Sequence, residues 1–238
     1  MNDTLVIRAE IMDMIDRSEI VQMAARLLED GRVDEARTLM RVQYPFRPKA
    51  KLADAVREVG LPVPTLPVSA AEKNPAQKRR RRILPVGELY RAFARDQFRC
   101  AYSGIRLVIP PSLVLLSVLL PEEFPCANYP NCPLARTHIG MWLLYPSLDH
   151  VEAFAFGGEC REANLVTTSS AVNMVKSRSN LSDLGWSKPR IFGNPDEWDG
   201  LASWFLRQIE RDPNLLAHPE YEPLFQSWSL AIREASVA

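Results

Sequence analysis

Leu148-Asp149-His150-Val151, Gly157-Gly158, Asn164-Leu165-Val166-Thr167-Thr168 and Asn173-Met174-Val175-Lys176 follow one another within one short stretch of this 238-residue chain. Residues 145–151 read as a strand leading into His150. Gly157-Gly158 permits a tight turn with positive φ. Leu165 to Thr168 is a short β-type run. Ser169 or Ser170 can then cap a helix carrying Asn173 and Lys176. The local pattern is two strands and a helix, with polar side chains at fixed places along it.

Those side chains suit the hydrolysis of a phosphodiester. That reaction needs an activated water, a counter-charge on the pentavalent transition state and help for the leaving oxygen. One divalent ion can supply the last two, and a histidine near neutrality can supply the first. Asp149 and His150 divide these tasks, although adjacent strand residues face opposite ways. The chain must therefore bend for both to serve one site. Asn173 offers a neutral oxygen to a hard cation. Asn164 can hydrogen-bond across the hairpin and hold the histidine loop. Lys176 lies three residues beyond Asn173, on the same helical face, where it can touch a phosphate, and Arg178 follows.

The stretch resembles the HNH endonuclease family, whose core is a ββα-metal finger. The resemblance rests on Asp149-His150, Gly157-Gly158, Asn164 to Thr168, Asn173 and Lys176. It extends in weaker form through Arg95-Asp96, Tyr102-Ser103-Gly104, Leu181 to Trp186 and Trp198-Asp199-Gly200, as in stand-alone bacterial members. It implies His150 as general base, Asn164 as the residue that orients it, and Asp149 and Asn173 as ligands. The cofactor implied is one divalent cation, Mg²⁺ or Mn²⁺ first and Ni²⁺ or Zn²⁺ as alternatives. The implied substrate is DNA, with RNA not excluded. A homodimer would bring together the two nicking centres that a double-strand break needs. The alternative is a nucleic-acid-binding or interaction protein on an HNH scaffold with weak or no catalysis.

The chain departs from the family in two places. Cys-x-x-Cys pairs often flank the finger. Here Cys100 is followed by Ser103, and Ser169-Ser170-Ala171-Val172 stands at the second position, so no structural zinc is expected. The proline and arginine often found between histidine and glycines are absent; Ala153 and Phe156 lie there. Cys126 and Cys132 read as free thiols by default, with a zinc site shared with Cys100, Cys160 or His138 as the alternative. His138, just upstream of the site in chain order, reads as a loop or core residue, with a place at the site as the alternative.

Outward from the centre, the fold class expected is α+β. Residues 1–60 form a helical N-terminal region. Apolar positions along residues 3–17 suggest one helix, Ser18 caps a second that runs to about Asp30, and Gly31 stops it. A third helix follows from Asp34 and Glu35, and a short one around 49–58. Residues 61–84 are a Pro-containing linker with the basic run Lys78-Arg79-Arg80-Arg81-Arg82, a phosphate-contacting arm if the nuclease reading holds. Residues 85–211 form the nuclease domain. It begins with a helix at 86–96. Apolar residues 105–120 read as a strand, a turn and a short helix, and 121–140 as mostly irregular. Residues 212–238 close the chain with a helix. Four of the five tryptophans follow residue 185, which suggests a C-terminal helical layer on the β-hairpin.

Lysines and arginines balance acids at 29 each, so any binding to phosphates depends on a local patch rather than on net charge. The first residues lack a basic n-region and a long apolar run, so no signal peptide is expected. Leu113 to Leu120 is too short to span a bilayer. A cytoplasmic, reducing setting without membrane association is the expectation.

Overall fold

A computed structural model describes residues 16–64, 84–127, 129–153, 157–159, 161–192 and 197–237. The fold is mixed, helices around one two-stranded antiparallel sheet. The helices are α1 (Arg17–Glu29), α2 (Val33–Gln43), α3 (Leu52–Glu58), α4 (Val86–Arg95), α5 (Pro110–Leu119) and α6 (Gly140–Leu143). After strands β1 (Pro146–His150) and β2 (Leu165–Ser169) come α7 (Ser170–Lys176), α8 (Leu181–Leu184), α9 (Ala202–Arg211) and α10 (Glu222–Val237). Among the described residues no helix is long and apolar enough to cross a membrane. The helix expected within residues 3–17 and the basic run at 78–82 lie outside the described residues.

Helix α5 is the centre of the core. Leu113, Val114, Leu115 and Leu116 are all buried, and so are both prolines of its first turn. A helix that is apolar all round must be enclosed on every side. Pro110 and Pro111 fit its start, where their missing N–H groups would have had no intrahelical partner. Each enclosed Leu or Val contributes roughly 1.5–3 kcal/mol of burial. The expected strand within residues 105–120 reduces to a single bridge, Arg99 with Arg106.

The C-terminal helices cover α4 and α5 rather than the hairpin. Trp228 of α10 stacks on Phe93 and meets Tyr90 edge-on, with centroids 6.4 and 6.3 Å apart. Trp198 donates to the Leu107 carbonyl at 2.9 Å. Trp186, by contrast, packs on Tyr102, and its indole N–H reaches the Pro62 carbonyl at 2.7 Å.

The N-terminal helices are part of the same core. Residues from Ile20 to Ile232 form one continuous buried cluster. Helix α3 packs against α7. At the start of α1 the cap is Asp16, whose side chain accepts from the Ser18 N–H at 2.9 Å; Ser18 itself is buried within the helix. Gly31 supplies the expected stop, with φ of 76°.

His138 ties the N-terminal region to the rest. Its Nε2 lies 2.8 Å from the Tyr44 carbonyl oxygen, and its Nδ1 accepts from the Gly140 N–H at 3.0 Å. The carbonyl requires a proton on Nε2 and the amide requires none on Nδ1, so the ring is neutral and fully partnered. Burial pushes its pKa down from 6.5 to about 4. The folded state therefore resists a proton that the unfolded chain accepts. Stability is lost as pH falls from about 6.5 towards about 4, by roughly 3 kcal/mol at most. Urea denaturation across this window should show the loss. A His138→Gln variant should show a flatter acid limb.

Candidate active site

Strands β1 and β2 pair from Pro146 opposite Ser169 to His150 opposite Leu165. Helix α7 starts at once after β2 and crosses back over β1. The result is a ββα unit. The outer edge of β2 is closed by other side chains and backbone, as an edge strand requires. Arg95 donates to the Leu165 carbonyl at 2.8 Å. Asp96 accepts from the Thr167 N–H at 2.7 Å, and the Ala101 N–H reaches the Thr167 carbonyl at 2.9 Å. That last contact fixes the turn after Cys100 beside the sheet and brings Tyr102 to the site.

The chain from 148 to 152 is pinned residue by residue. Asn173 Nδ2 donates to the Leu148 carbonyl at 3.2 Å and to Ser147 Oγ at 2.9 Å. Lys176 Nζ donates to the His150 carbonyl at 2.8 Å. The Val151 N–H reaches the Asn164 carbonyl at 3.0 Å. The Asn164 side chain then takes both backbone groups of Glu152, accepting from N–H at 2.9 Å and donating to C=O at 3.1 Å. Its Nδ2 also donates to the Glu159 carbonyl at 3.0 Å. Asn164 thereby joins the two arms of the loop that follows His150.

The two glycines of that loop serve different needs. Gly157 has φ of 98°, which an L side chain rarely adopts. Gly158 is required by proximity. A Cβ there would overlap the Glu152 carbonyl and crowd Asn164 Nδ2 at 2.9 Å. Asn164→Ala removes all three loop bonds made by its side chain. With Asn164 only 9% exposed, the cost expected is about 2 kcal/mol. Thermal unfolding measures it, and hydrogen exchange at the Glu152 amide should rise selectively.

Asp149 is 5% exposed and fully partnered on its inner side. Its Oδ2 accepts from the Tyr102 hydroxyl at 2.6 Å and lies 3.0 Å from Lys176 Nζ, with Oδ1 at 3.3 Å from the same ammonium. Burial, then the neighbouring carboxylate, holds the Tyr102 phenol well above its ordinary pKa, so it stays a donor. Lys176, expected on a phosphate, is instead 0% exposed. Its stem lies in the core and its three protons face Asp149 and the His150 carbonyl. Tyr102 has no spacing signal in the sequence that ties it to Asp149, 47 residues away.

His150 closes the ladder and is half-buried. Strand alternation assigns it the face opposite Asp149, and the chain bends only after it, at residues 151 and 152. The bend that the sequence required between Asp149 and His150 therefore falls one step later. Arg178 is half-buried just beyond α7. Phe156 and Cys160 lie outside the described residues. Cys100 is buried with Sγ 3.3 Å from Thr168 Oγ1.

Among the described residues no three His, Cys, Asp or Glu side chains form a group able to hold a metal ion. Asp149 and Asn173 carry oxygen atoms of the kind that a hard divalent cation takes. Asp149, however, is already paired with the Lys176 ammonium at 3.0 Å, a partner that a metal ion would have to displace or share. Asn173 turns its Nδ2 to the strand, and its Oδ1 has no protein hydrogen bond among the described residues. No protein-family model, curated protein or solved structure matches this chain.

Proposed function

We propose that this chain is an endonuclease of the HNH type that hydrolyses DNA phosphodiester bonds, with His150 as general base. The observation that carries the reading is the pinned backbone around His150. Asn173 and Lys176 hold it from the helix side, and Asn164 holds it from the loop. A general base is effective when its position is set before substrate arrives. Here four side-chain bonds to the main chain at Leu148, His150 and Glu152 set it.

In this reading an imidazole nitrogen of His150 takes the proton of a water molecule as the water attacks phosphorus. Asp149 and Asn173 would hold one divalent cation, which supplies counter-charge to the phosphate and stabilises the leaving oxygen. Tyr102 fixes the Asp149 carboxylate through its hydroxyl proton. Asn164 keeps the loop closed so that His150 does not rotate away. The basic run Lys78 to Arg82 and Arg178 would add contacts to the DNA backbone that position without reading sequence.

A second reading has its own observation. The Lys176 ammonium already neutralises Asp149, and strand alternation puts His150 on the opposite face with the bend only after it; both favour a scaffold that binds nucleic acid without cutting it. The test is supercoiled-plasmid nicking by the full chain with Mg²⁺, Mn²⁺, Ni²⁺ or Zn²⁺, wild type beside His150→Ala. A labelled RNA runs in parallel. Metal-dependent nicking lost in the variant supports the endonuclease. DNA binding without cleavage under any metal supports the scaffold. Neither binding nor cleavage rejects both.

A further inference from the structure

Cys126 and Cys132 are the thiol pair that the proposed function leaves unused. Their sulfurs stand 3.3 Å apart, in hydrogen-bond contact. Both ends of their loop are anchored. Cys126 bridges Thr137, and the His138 N–H reaches the Pro125 carbonyl at 2.7 Å. Between them the Tyr129 hydroxyl meets the Tyr145 hydroxyl at 3.1 Å, one residue before β1. Cys126 is half-buried and Cys132 is 7% exposed, so a small oxidant that enters beside Cys126 meets the Cys132 sulfur 3.3 Å further on.

Among the described residues the pair lacks the partners of a metal site. Both nitrogens of His138 are engaged by backbone groups, and Cys100 is paired with Thr168. Two sulfurs held this close need only approach to the roughly 2.05 Å of a disulfide. We propose that Cys126 and Cys132 form a reversible oxidation site, closing to an intraloop disulfide with hydrogen peroxide and reopening with a dithiol reductant.

The Cys126 S–H donates to Cys132 and favours the thiolate there, while Cys126 is held protonated. The Cys132 thiolate attacks one peroxide oxygen, and hydroxide leaves, giving a sulfenic acid. Cys126 sulfur then attacks that sulfur. The S–O bond breaks, the Cys126 proton goes with the leaving hydroxide, and water forms. Two thiols and one peroxide become one disulfide and two waters, so the thiols lose the electrons that the peroxide gains.

Trypsin separates the cysteines cleanly. Residues 107–136 carry Cys126 and Cys132 together, residues 100–106 carry Cys100, and residues 137–161 carry Cys160. The full reduced chain is treated with one equivalent of peroxide, blocked with iodoacetamide and digested. The 107–136 peptide should lose two hydrogen atoms and take no alkyl group, and dithiothreitol should restore two alkylation sites. The Cys126→Ser variant should not form the lighter peptide. The proposal is overturned if peptide 107–136 keeps both alkyl groups while Cys100 or Cys160 is oxidised. It is equally overturned if that peptide is found cross-linked to either of the others.

Discussion

Lys176→Met should lower the stability of this protein by about 3–5 kcal/mol. Methionine keeps most of the volume of the buried stem, so little of the loss comes from a cavity. The loss comes from Asp149. Without the ammonium at 3.0 Å, a carboxylate that is 5% exposed retains only the Tyr102 hydroxyl. The His150 carbonyl also loses its donor. An ion pair in water behaves differently. Arg32 with Glu35 at the start of α2 has both side chains more than half exposed, and breaking it should leave the unfolding midpoint nearly unchanged. Urea denaturation at neutral pH distinguishes the two, read as a shift in midpoint at constant slope. Adding Asp149→Asn to Lys176→Met should recover part of the loss, because the double variant buries no unpaired charge. A Lys176→Met variant within about 1 kcal/mol of wild type would mean that the pair is not buried in solution.

The ββα unit was legible because its signals are local. A strand, a glycine turn, a second strand and a helix follow one another, and each leaves a short-range mark; the expected serine cap is not made, because the Ser169 hydroxyl donates to the Trp142 carbonyl instead. The loop bonds of Asn164 were legible for the same reason, since it only has to reach across its own hairpin. Helix α5 was legible only in part, as a short helix after a strand and a turn. A continuous apolar run with two prolines reads equally as a buried strand or a buried helix, and only enclosure on all sides decides. Lys176 was misread because helical spacing gives a face but not what lies over that face; here it is β1 and its buried aspartate. Tyr102 reaches Asp149 only because the Ala101 N–H pairs with the edge of β2, a contact between segments far apart in the chain. The tryptophans announced a helical layer, but composition does not say which surface it covers, and α4 and α5 took it.

His150→Ala should abolish most metal-supported plasmid nicking, a fall of roughly 10²–10⁴-fold if a general base is lost. DNA binding should change little, because the backbone groups that set the loop stay in place when the imidazole is removed. The bonds by which Asn173, Lys176 and Asn164 hold Leu148, His150 and Glu152 go to main-chain atoms. Stability should therefore stay closer to wild type than in Asn164→Ala, since these main-chain bonds survive the truncation. This separates His150 from Asn164. Asn164→Ala should lower both stability and nicking, because it releases the loop, and lower temperature should restore part of its rate. His150→Ala should not recover on cooling, but exogenous imidazole should restore some cleavage by supplying the missing base. The pH profile carries the same distinction. Rescue by imidazole should follow the ionisation of the added base, whereas Asn164→Ala should keep the wild-type profile at reduced height. Equal nicking by wild type and His150→Ala would remove His150 from the reaction, whatever the metal.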